Sequence, residues 1–142
     1  MNPKQLEMYS FWWSETRLLV AAVALFLGGV PPIFLIAPPA MLGITQLGLT
    51  MAWILSGAAS GYLLWRWYEG GQKVFGGKDS KDIIAFLVMT ISGINLGLTG
   101  IFGQNIGMSF ASGKIVFMIV GALYVWVAFH LFTRWNKVGK MF

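Results

Sequence analysis

The chain has 142 residues, 57% hydrophobic and 11% charged, with a net charge of +5 and no cysteine. A soluble domain carries about 25% charged residues, so this composition, with a mean hydropathy of +0.71, is that of an integral membrane protein. The lack of cysteine excludes thiol redox chemistry, iron–sulfur clusters and cysteine zinc sites, and a single histidine excludes a two-histidine metal or haem site within one chain.

Residues 1–17 read as a cytoplasmic interfacial segment, amphipathic over residues 4–13. Ser10 or Ser14 is the candidate cap of the first span, and Glu15 suits a positive helix N-terminus. Glu7, Glu15 and the aromatics Tyr9, Phe11, Trp12 and Trp13 make this a poor signal-peptide leader, so the first span is expected to be retained.

The run from Leu18 to Trp65 carries no charge. One helix needs about 20 residues to cross a bilayer core, so the run divides at Pro38-Pro39 into spans of about 18–37 and 40–65. Pro31 and Pro32, after Gly28-Gly29, cannot donate to the carbonyls of Leu27 and Gly28 and predict a helix break there. In the second span Ala52, Ser56 and Ser60 recur at every fourth residue beside Gly57 and Gly61, a stripe suited to close helix packing. Gln46 falls near the outer end, close to water.

The loop 66–82 is glycine-rich but lacks the GxxxxGK[ST] order of a phosphate loop. Asp79 or Ser80 is the candidate cap of a third span, about 83–102, with Asp82 on its first turn. That span places Ser92, Asn95 and Thr99 on one face by i, i+3, i+7 spacing. Gly93, Gly97 and Gly100 form a small-residue groove beside them, with Gly93 and Gly97 in GxxxG spacing. Asn95 is the most polar side chain deep in any span and needs a partner. The outer loop 103–114 is polar. The fourth span, about 115–133, holds His130 near its inner end, read as a hydrogen-bonding residue, with a lone haem or pigment ligand as the alternative.

Nine of the ten basic residues lie on one side: Lys4 and Arg17, then Arg66, Lys73, Lys78 and Lys81, then Arg134, Lys137 and Lys140. Only Lys114 lies on the other. The positive-inside rule then puts both termini in the cytoplasm, and the basic excess faces anionic headgroups, not nucleic acid. All five acids fall near or outside the span boundaries. No intramembrane carboxylate is therefore expected, which disfavours proton-coupled export.

Shifting the chain by 68 residues aligns Leu19-Val20 with Leu87-Val88, Gly29 with Gly97, and Ile33-Phe34 with Ile101-Phe102. It also aligns Leu55 with Leu123, Leu63 with Leu131, Arg66-Trp67 with Arg134-Trp135, and Gly71 with Gly139. The expectation is an all-α bundle of four transmembrane helices, built as two tandem parallel hairpins. With no nucleophile–base pair and no cofactor expected, it reads as a non-catalytic protein working in an assembly, with itself or with other membrane subunits. The alternative is a small channel or transporter with a polar path along Ser92, Asn95 and Thr99.

Overall fold

A computed structural model describes residues 1–110 and 112–142. Its helices are α1 (Pro3–Phe26), α2 (Ile33–Ile36), α3 (Leu42–Glu69), α4 (Ser80–Phe102), α5 (Ile106–Phe110) and α6 (Lys114–Val138), with a 3-10 turn at Pro39–Met41. Helices α3, α4 and α6 are long and apolar enough to cross a membrane. Large apolar side chains such as Ile44, Met51, Ile119 and Phe129 stand exposed on them. In water such surfaces would drive aggregation; in a bilayer they meet acyl chains. The fold is that of a helical membrane protein.

The four long helices enclose a common interior. Helix α1 packs on α3 and α6, and α4 packs on the same two. Helices α1 and α4 also meet across the middle, whereas the backbones of α3 and α6 stand apart. The closest crossing is between α3 and α4. A Cβ built on Gly57 would lie 2.7 Å from the Cα of Gly97, and Gly93 sits against Ser60. Only glycine lets two helix backbones approach this closely.

One end of the bundle is charged and densely packed. Phe11, Leu18, Leu63, Phe86, Met89 and Leu131 are fully buried there. Phe11 stacks on Trp135 with ring centroids 4.2 Å apart, and Phe86 lies 5.7 Å from Trp67. Around this plug sit two ion pairs. Arg66 Nη2 lies 3.5 Å from Glu7 Oε2, and Arg134 Nη2 lies 2.9 Å from Asp82 Oδ2. Asp82 Oδ1 is also 2.7 Å from His130 Nε2. Glu7 Oε1 accepts from the backbone N–H groups of Met141 and Phe142, so the chain end is tied beneath α1.

The first third of the chain departs from the sequence expectation. Residues 3–17 are not a separate interfacial segment but the N-terminal half of α1, and Glu7, Ser10, Phe11, Ser14, Glu15 and Arg17 are buried. The cap is Asn2, in a reciprocal capping box with Gln5; Ser10 and Ser14 lie inside the helix. The buried positions 7, 11, 14, 18, 22 and 25 follow helical spacing straight through the charges. The helix also ends earlier than the prolines require. Phe26 is its last residue, and Gly28 and Gly29 take φ of +79° and +91°, a region only glycine enters freely. Pro32 instead sits at the N-cap of the short α2. At α4 the cap is Asp79, which accepts from the N–H groups of Lys81 and Asp82.

Candidate functional site: a blind cavity above Arg17

Beyond the aromatic plug the four long helices separate around a cavity of about 600 Å³. That volume falls in the range of small-molecule sites, roughly 300–1,000 Å³. Its floor is polar: Arg17 from α1, Ser56 from α3, Ser92 from α4 and Tyr124 from α6. Its walls are mostly apolar, with Val20 and Ala24 of α1, Leu49 and Trp53 of α3, and Phe117 and Val120 of α6, and Asn95 and Thr99 as polar points on α4. Two connectors cover the far end, Gly29 to Pro32 on one side and Asn105 to Met108 on the other. The α1 side is less closed, since the lining residues Trp13, Thr16 and Val20 stay exposed.

Arg17 is the unexpected member. Its side chain is reached by climbing α1 from Glu7 at 1.5 Å per residue, roughly 15 Å above the charged end. The residue is 8% exposed. Nη1 donates to Ser92 Oγ at 3.0 Å and Nη2 to the carbonyl oxygen of Met89 at 2.7 Å. Nε is buried and has no hydrogen-bond partner among the described residues. A guanidinium offers five N–H donors, so these two bonds leave most of its capacity unused. Both partners are neutral. Glu15, 4% exposed, is the nearest acid along the helix, and its Oε2 accepts no hydrogen bond. Side chains two apart on a helix do not face each other, and no ion pair joins Glu15 to Arg17 among the described residues. Glu15, expected near a span boundary, is enclosed by the bundle.

The polar face of α4 divides its work. Ser92 holds Arg17 and itself donates to Met89 O at 2.9 Å. Asn95 works on the far connector: its Nδ2 donates to Asn105 Oδ1, and its Oδ1 accepts from the N–H of Gly107, both at 2.9 Å. Asn105 Oδ1 also accepts from the N–H of Met108. Thr99 donates to the carbonyl of Asn95. All three line the cavity.

The remaining sequence candidates are spread differently. Ala52 and Ser56 line the cavity, with Ser56 accepting from Trp13 Nε1 at 3.0 Å. Ser60, Gly93, Gly97 and Gly100 instead form the α3–α4 seam, where Gly100 packs on Ile54 and Thr50. Pro31 and Pro32 line the cavity. Gln46 is exposed on α3, its side chain bonded to Thr50 one turn on, and it is not among the residues that line the cavity. His130 is held by Asp82 and stacks on Trp126.

Sequence reasoning missed Arg17, Trp13 and Tyr124. The available signal was the helical spacing of apolar and small residues from Phe11 to Leu25, which places Arg17 inside a helix and not before one. No group of three or more His, Cys, Asp or Glu side chains gathers among the described residues. A guanidinium and hydroxyls at one end of a mostly apolar chamber suit binding and orienting a molecule. No family model, no curated protein and no solved structure matches this chain.

Proposed function

We propose that this protein is a small, non-catalytic membrane protein that holds an amphipathic small molecule inside its bundle. The observation that carries the reading is the blind cavity with a polar floor and mostly apolar walls. A through-channel is not favoured, because Phe11, Leu63, Phe86, Met89 and Leu131 fill the bundle between the cavity and the charged end. A purely structural subunit is less well supported, because the small-residue seam is occupied within the chain by the α3–α4 crossing. Binding and membership of a larger assembly are compatible, and partner subunits would meet the exposed outer faces.

In this reading α1 is the fourth membrane-crossing helix. Its 24 residues are comparable with the 23 of α4 and the 25 of α6, and its charges turn inward or lie at the charged end. The positive-inside rule then makes the charged end cytoplasmic and puts the connector end outside. The tandem-hairpin reading draws support from matched contacts. In each half an acid near the start of the first helix pairs with an arginine near the end of the second: Glu7 with Arg66, Asp82 with Arg134. In each half the phenylalanine four residues after the acid meets the tryptophan after the other half's arginine, Phe11 with Trp135 and Phe86 with Trp67. Residues Gly71 and Gly139 both take φ +77° after these helices. The second helices keep the 68-residue offset, whereas the acid and phenylalanine of the first helices match at 75. Gly29 and Gly97, which lie in a loop and in mid-helix, are then a chance identity.

The test is a saturable, environment-sensitive apolar fluorophore added to the purified protein in lipid nanodiscs. The cavity reading expects binding that Ala52→Phe and Ala24→Phe abolish, while both variants keep the helical circular dichroism of the parent. Binding unchanged by both fillings would overturn it.

A further inference from the structure

We infer that the molecule held in the cavity is a single-chain amphiphile with a monoanionic headgroup of the carboxylate type, seated on Arg17; this rests on the cavity reading above. A fixed positive charge inside a bundle of apolar helices is costly unless something neutralises or solvates it. Here its hydrogen-bond partners are one hydroxyl and one carbonyl, both uncharged. The guanidinium keeps unused donors at the cavity floor, and its planar fork matches a carboxylate in two-point geometry. Tyr124 lines the cavity beside Arg17 and Ser92 and supplies a hydroxyl donor for the same headgroup.

One arginine supplies one charge. Among the described residues no other basic side chain lines the cavity, so a dianionic head would carry a charge with no partner. The walls decide the rest of the ligand. Going from Arg17 toward Pro31, the chamber is bounded on α1 by Val20, Ala21, Ala24 and Leu25, which offer no hydrogen-bonding side chain to a polar tail. Its exposed edge at Trp13, Thr16 and Val20 gives an acyl chain already dissolved in the bilayer a lateral way in. Trp13 is itself anchored by its bond to Ser56 at that edge.

The experiment uses a brominated long-chain fatty acid and its methyl ester, each added to the full-length protein in nanodiscs of neutral lipid. Bromine quenches tryptophan on contact, and Trp13 and Trp53 line the cavity. The acid should quench saturably and the ester should need a roughly 10- to 100-fold higher mole fraction, the worth of hydrogen bonds to a charged group. Arg17→Gln should weaken the acid to the level of the ester and leave the ester unchanged. Arg17→Lys, which keeps the charge without the fork, should fall between. Should Arg17→Gln not fold, the acid–ester comparison in the parent protein decides alone. Equal quenching by acid and ester would overturn the anionic headgroup and leave the cavity reading standing. Saturable quenching by a two-chain anionic phospholipid in preference to the fatty acid would overturn the single-chain assignment. No saturable quenching by any probe, together with fluorophore binding indifferent to Ala52→Phe and Ala24→Phe, would overturn both.

Discussion

Gly97 and Gly57 bring two helix backbones into direct contact: a Cβ added to Gly97 would stand 2.6 Å from the Cα of Gly57. Real Cβ atoms do not approach a backbone carbon so closely, so any side chain here forces α3 and α4 apart. In lipid, where burying leucine against leucine gains little, that close approach is a principal source of helix association.

Replacing Gly97 by leucine should therefore destabilise the bundle, by about 1–3 kcal/mol or more, the scale of core over-packing. Val125→Leu, at a position 43% exposed on α6, is the matched control and should be nearly silent. Thermal unfolding of both variants in one detergent checks this. Equal midpoints would mean the glycine crossing contributes nothing to stability.

The two ion pairs at the charged end should differ in worth. The Asp82 side chain is 3% exposed and accepts from both His130 and Arg134. Asp82→Ala strips a buried arrangement of its acceptor and should cost about 1–3 kcal/mol. Arg66→Ala removes a partner that is 32% exposed and 3.5 Å from its carboxylate, and Glu7 keeps its two backbone donors. That change should cost less than about 1 kcal/mol. Urea or thermal unfolding of the two variants gives the ranking, and a costlier Arg66→Ala would contradict it.

Asn95→Ala should loosen the α4–α5 connector and little else. Both polar ends of Asn95 are committed to Asn105 and Gly107, and no other helix depends on them. Hydrogen exchange should rise at the amides of Gly107 and Met108 while the amides of α1, α3 and α6 keep their protection. A global loss of protection would show that Asn95 supports the bundle itself.

Topology is checked by accessibility. Single cysteines at Ser80 and Ser109, both exposed and at opposite ends of the bundle, should react with a membrane-impermeant maleimide from opposite sides. The Ser80 position should react only from the cytoplasmic side. Labelling of both from one side would eliminate the crossing arrangement.

Three apolar helices, the break between the first and second hairpin arms, and the Asp79 cap were legible in the sequence. These depend on composition, on proline and glycine chemistry, and on capping side chains, all of which act over a few residues. The shared face of Ser92, Asn95 and Thr99 was legible too, because helical spacing alone fixes it. What that face meets was not. Whether it packs on a neighbouring helix or borders a space depends on which helices stand opposite, and only tertiary packing decides that.

Charge misled the reading of α1. Lysine, arginine and glutamate read as boundary markers start the first apolar helix at Leu18, after Glu15 and Arg17. In the fold the helix starts at Pro3 and runs through both, because an arginine can lie inside a bundle when another helix supplies acceptors, here Ser92 Oγ and the carbonyl of Met89. Those acceptors are more than seventy residues away along the chain. A local pattern fixes how a segment folds and how apolar it is; the solvation of a buried charge is a property of the neighbours that fold around it.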